Sequence, residues 1–129
     1  MTMRLFICFL LLSALPLLAE EAPQPNYVFR AELVRVIDGG TVALNIDLGF
    51  GVWTHNQSLG LLGVEEPAAT EAGKEQGLKR ATKLRELLKG RAEIIVQTVK
   101  DKKAKPARYL AVIWADGTNV NEEIKKAFP

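Results

Sequence analysis

Thr41-Val42-Ala43-Leu44-Asn45-Ile46-Asp47-Leu48 is the stretch that decides the fold. Val42, Leu44, Ile46 and Leu48 fall on one side, with Thr41, Asn45 and Asp47 on the other. Successive side chains of a strand point to opposite faces, so strict alternation predicts a strand with one buried face. Asp38-Gly39-Gly40 before it and Gly49-Phe50-Gly51 after it are turn signals. On the N-terminal side, Tyr27 to Ile37 is rich in Val, Phe, Ile and Leu and reads as a first strand. On the C-terminal side, Val52 to Val64 reads as a third, stopped by Glu65-Glu66-Pro67.

From Thr70 to Lys89 the pattern changes to helical spacing, with Gly77, Ala81, Leu84 and Leu88 at steps of four, three and four. Thr70 is placed to cap the helix, Glu71 suits its first turn, and Gly90 follows as a stop. Gly73 and Gly77 weaken the first half. Ala92–Val99 and Arg108–Trp114 read as a fourth and a fifth strand around the lysine-rich loop Asp101–Ala107. Asp116-Gly117 is a turn, and Asn121 is positioned to cap a short terminal helix through Ala127. Three antiparallel strands leave apolar surface open, and a helix between strands three and four can plug one end of a barrel. The element order fits a mainly β, five-stranded Greek-key OB-fold barrel with a helix between strands 3 and 4 and a short C-terminal helix.

The first residues carry a different signal. Arg4 precedes the apolar run Leu5–Leu12, and Ser13-Ala14-Leu15-Pro16-Leu17-Leu18-Ala19 ends in a small residue. This is the pattern of a secretory signal peptide, with cleavage expected after Ala19 and a periplasmic or secreted destination. The expected organisation is a signal peptide over 1–19, a flexible leader over 20–27 holding Pro23 and Pro25, and one domain over 28–129. After cleavage no membrane contact is expected. Cys8 is the only cysteine and lies in the signal, so an intrachain disulfide and a cysteine zinc site are both excluded. At 48% apolar and 25% charged the chain is an ordinary globular one, which excludes a disordered or collagenous protein.

Net charge is only +2, but it is unevenly spread. Residues 20–66 sum to −5 and residues 67–110 to +7, so the helix and the loop after strand four make a basic side. Lys79, Arg80 and Lys83 on the helix, with Lys102, Lys103 and Lys105 in the loop, are the candidate phosphate-binding residues. Lys74, Arg85, Lys89, Lys100 and Arg108 belong to the same side. Phe50, Trp53 and Trp114 are candidates for stacking on bases, with core packing the competing role for Trp114. His55, the only histidine, sits among Thr54, Asn56 and Gln57 and reads as a lone exposed or loop residue without a catalytic partner.

Four fragments taken together resemble the staphylococcal nuclease-like (thermonuclease-like) family: Val34-Arg35-Val36-Ile37-Asp38-Gly39-Gly40-Thr41, Leu61-Leu62-Gly63-Val64-Glu65-Glu66-Pro67, Arg108-Tyr109-Leu110-Ala111-Val112, and Asp116-Gly117 with Val120-Asn121. They cover about 28–127 in the family's order. The resemblance implies an OB barrel and, in active members, calcium-dependent hydrolysis of DNA and RNA. It also implies which positions carry that chemistry. The first motif's metal-binding aspartate is Gly40 here, and the third strand's arginine is Gly60. Glu65 replaces the second metal-binding aspartate, and Ala68 replaces the glutamate that acts on water. Arg108 alone matches unchanged. Removing one electrostatic stabiliser typically costs about 10²–10³ in rate, so three absences predict a catalytic site largely lost.

The expected function is therefore non-catalytic binding of a partner, either a single-stranded nucleic acid or a protein, with no cofactor. The alternative is a weak calcium-dependent phosphodiesterase in which Asp38 and Glu65, with Glu66, hold Ca²⁺ in a rearranged site and Arg108 assists. Carboxylate oxygens are the right donors for that ion.

Overall fold

A computed structural model describes residues 20–65, 67–100 and 109–129. In chain order the elements are β1 (Val28–Asp38), β2 (Thr41–Gly49), β3 (Val52–Leu61), α1 (Glu71–Leu88), β4 (Ile94–Lys100), β5 (Tyr109–Ala115), β6 (Thr118–Asn119) and α2 (Val120–Ala127). The strands follow the order β3-β2-β1-β4-β5-β6, and a parallel pairing of β3 with β5 closes the first five into a barrel. The OB-fold barrel read from the element order is the observed architecture, with β6 as an added two-residue strand.

The alternation in β2 holds as far as Ile46; Leu48 beyond it is exposed, and Ala43 between Val42 and Leu44 is buried as well. Val42, Leu44 and Ile46 are buried, meeting Leu59 and Leu61 of β3, Val96 of β4 and Ile113 of β5 in one core. Leu84 and Leu88 bring α1 into that core, and Val120 and Ile124 bring α2. The Thr70 hydroxyl accepts the Gly73 N–H at 3.1 Å and caps α1. At the other end Gly90 takes a left-handed φ of 69°, as a helix stop requires. Gly73 has a packing reason as well, because a Cβ there would collide with the Ala68 carbonyl.

The end of β3 and the cap of α2 differ from the sequence reading. β3 ends at Leu61 rather than Val64, because Leu62-Gly63 turns the chain and Gly63 has φ 76°. His55 lies exposed on β3, the first of the two placements read for it. The cap of α2 is Asn119, whose side chain accepts the Glu122 N–H. Asn121 is instead buried inside the first turn. Its Oδ1 accepts the Ile113 N–H at 3.0 Å, and its Nδ2 donates to the carbonyls of Leu62 at 3.0 Å and Ala111 at 2.9 Å. One side chain thus joins α2, β5 and the turn after β3.

Candidate functional site

Three chain segments converge beside that junction: the β1–β2 turn, the end of β3 and the start of β5. Thr41 pairs with Gly60 in the β2–β3 ladder, and Gly60 pairs with Leu110 across the barrel closure. Leu61 N–H donates to the Gly40 carbonyl at 2.8 Å, and Leu62 N–H donates to the Ala111 carbonyl at 2.9 Å. Gly40 and Gly60, two of the positions that the resemblance singles out, are therefore neighbours. Arg108, Lys102, Lys103 and Lys105 lie outside the described residues, as does Glu66. Tyr109, next in sequence to Arg108, opens β5 here.

Asp38 Oδ1 accepts the Gly40 N–H at 2.9 Å and holds the turn, a local role common for aspartate. Glu65 accepts a hydrogen bond from the Arg80 guanidinium through its backbone carbonyl, and the residue is exposed. Gly40 and Ala68 offer no side-chain oxygen. Among the described residues no three His, Cys, Asp or Glu side chains gather as a metal site. Room for a donor exists at one vacant position: a Cβ on Gly40 would meet Val64 at 3.9 Å and Asp38 Oδ1 at 4.0 Å, ordinary contacts.

Next to this turn lies a cleft of about 530 Å³, between the β1–β2 turn and α1. Asp38, Gly39 and Gly40 form one wall; Lys74, Leu78 and Arg85 of α1 form the other. The helix does not present its basic residues as one face. Lys74 and Arg85 border the cleft, whereas Lys79 and Lys83 line a separate hollow with Phe128. Arg80 departs from the exposed-face reading: it is 8% exposed and turned inward. Its guanidinium lies 5.8 Å from the Phe128 ring centroid, and its Nε has no hydrogen-bond partner among the described residues. The cause is its place against Gly39 of the β1–β2 turn and Phe128 at the end of α2, which the local sequence spacing does not reveal.

A second recess, about 310 Å³, opens between the start of β1, the end of β2 and the start of β5. Tyr27, Phe29, Leu48 and Tyr109 make it aromatic and apolar. Sequence reasoning missed it because its residues come from five separate strands. Trp114, half-buried on β5 and paired with Ile95 and Asn119, is not part of it. Trp53 and Phe50 belong to the β2–β3 hairpin and are both exposed, Phe50 completely.

No protein-family model matches the chain, and a search of curated proteins finds no match.

Proposed function

We propose that this chain is an exported, nuclease-like OB barrel that binds single-stranded nucleic acid and does not hydrolyse it. The observation that carries the reading is the cleft in which Lys74 and Arg85 face the Gly39-Gly40 backbone. Two cations on a rigid helix opposite a turn without side chains leave space for a phosphodiester and supply charge to hold it. Among the described residues Asp38 is the only carboxylate lining the cleft, where it is engaged with the turn, and Lys74 also pairs with the exposed Glu71 at 3.5 Å. Tyr109, half exposed at the start of β5, offers a ring on which an unpaired base can stack. Hydrolysis is left out because Gly40, Gly60 and Ala68 supply neither ligand nor guanidinium nor carboxylate. The resemblance in four ordered fragments and the closed barrel support the nuclease-like assignment. The Arg4–Ala19 pattern supports export.

The test is fluorescence anisotropy of a labelled single-stranded oligonucleotide across a salt series. Weak, salt-sensitive binding is expected, and Lys74→Ala with Arg85→Ala should reduce the log–log salt slope by about 1.4, two phosphate contacts' worth. Absence of binding at low salt removes nucleic acid and leaves a protein partner as the reading. For export, mass spectrometry of the mature protein should find a chain beginning close to Glu20; an intact Met1 refutes cleavage.

A further inference from the structure

The β2–β3 hairpin ends in a feature that neither the barrel nor the cleft uses. Gly49 pairs with Val52, so Phe50 and Gly51 form a two-residue turn. Both have left-handed φ, 56° and 73°, the sign pattern of a type I′ turn. Asn or Gly is favoured at its first central position, and a bulky residue there is an outlier. Phenylalanine occupies it, with its ring entirely in solvent. Leu48, Val52 and Trp53 beside it are also exposed, and no charged residue lies between Asp47 and Trp53. The result is an apolar finger whose tip residue opposes its own backbone conformation. Strain kept at an exposed aromatic points to a function outside the fold.

We propose that this finger is a membrane-contact site, inserting Phe50 into the interface of a lipid bilayer with Trp53 at headgroup depth. Three placements select a bilayer over other occupants. Arg30 pairs with Asp47, which puts the first residues of β1 beside the finger. The chain therefore enters the barrel from the finger's end, after the apolar 5–19 run and the short 20–27 segment. Tyr27, exposed at that entry, adds a second amphipathic ring, and Trp and Tyr concentrate where membrane meets water. Arg30 is exposed nearby and stands opposite Asp47 on the neighbouring strand, so the rung beside the finger carries no net charge to be kept from a bilayer interface. The finger is a contact separate from the 1–19 segment, so it amends the expectation that a cleaved chain leaves the membrane. It does not depend on the nucleic-acid reading, because neither Lys74 nor Arg85 belongs to it.

The experiment uses the purified protein with vesicles of phosphatidylcholine and phosphatidylglycerol. Trp114→Phe leaves Trp53 as the sole tryptophan, and lipids brominated along the acyl chain quench only a ring that reaches them. Trp53 emission should shift to the blue and be quenched. Phe50→Asn, which suits a left-handed turn, should lower vesicle partitioning by roughly tenfold or more, the effect of losing a buried Phe ring. Should Trp114→Phe not fold, flotation of wild type and Phe50→Asn with vesicles reads the same loss. Vesicle binding with Trp53 unquenched, through the N-terminal run or the basic side, overturns the proposal. So does a Phe50→Asn protein that keeps its vesicle affinity but loses oligonucleotide affinity, which would make the finger a base-stacking element.

Discussion

Asn121 shows how a residue that looks like a helix cap can instead hold a fold together. Its three hydrogen bonds reach two strands' worth of backbone from a buried position. An unsatisfied buried polar group costs about 1–3 kcal/mol. Asn121→Asp keeps the shape but replaces the donating amide with an acceptor that faces the Leu62 and Ala111 carbonyls. The variant should lose about 3 kcal/mol, and its thermal midpoint should fall by roughly 10 °C in a calorimetric scan. An unchanged midpoint would show that these bonds do not hold the junction. Phe50 makes the opposite case. Left-handed backbone costs an L-residue about 1–2 kcal/mol, and Asn tolerates it better. Phe50→Asn should therefore raise stability by about 1 kcal/mol in a denaturant titration, even as it removes the finger's ring. The sequence identifies Asn121 as polar and near a helix start, and Phe50 as aromatic and flanked by glycine. Neither the burial of the first nor the φ of the second is local information.

At the scale of elements, β2 and α1 were legible because their apolar residues recur at the period of one secondary structure. The basic side was legible only as a count. Charges between 67 and 110 are spaced along one helix and one hairpin, but packing sorts them. Arg80 turns inward toward Phe128, Lys79 pairs with Glu75 at 3.4 Å, and Lys74 and Arg85 face the cleft. Exposed pairs such as Lys79–Glu75 contribute little to stability. The β4–β5 hairpin is the other basic element. Lys100 pairs with Tyr109 at its base, and Lys102, Lys103 and Lys105 follow in sequence. Replacing those three with Ala should flatten the oligonucleotide salt slope by up to about 2, at about 0.7 per contact. Replacing Lys79 and Lys83 should change it less, since they lie in a hollow away from Gly40. Equal effects from both sets would mean that charge alone, without the cleft, governs binding.

At the scale of the whole molecule, barrel closure gathers positions that the nuclease-like resemblance singles out. Closure of the barrel through β3 and β5 sets Gly60 against Leu110 and, through β2, beside Gly40. These positions are scattered in sequence, and only the resemblance to the nuclease-like family connects them before the barrel is seen. On the proposed reading the barrel keeps the scaffold of a nuclease-like site while Gly40, Gly60 and Ala68 no longer supply its groups. Restoring them tests that separation of scaffold from chemistry. Gly40→Asp meets no clash, and the new carboxylate would stand near Asp38, where two like charges favour a bound cation. Gly60→Arg and Ala68→Glu add the guanidinium and the acid that the resemblance implies. Because such groups act as a unit, single restorations should recover little, and the combined variant should show calcium-dependent cleavage of denatured DNA above the unaltered protein. The assay is release of acid-soluble nucleotides with calcium or with a chelator. The unaltered protein should release none above background; efficient, calcium-dependent digestion by it would refute the loss of the site. Cleavage confined to the triple variant would locate the missing chemistry at Gly40, Gly60 and Ala68.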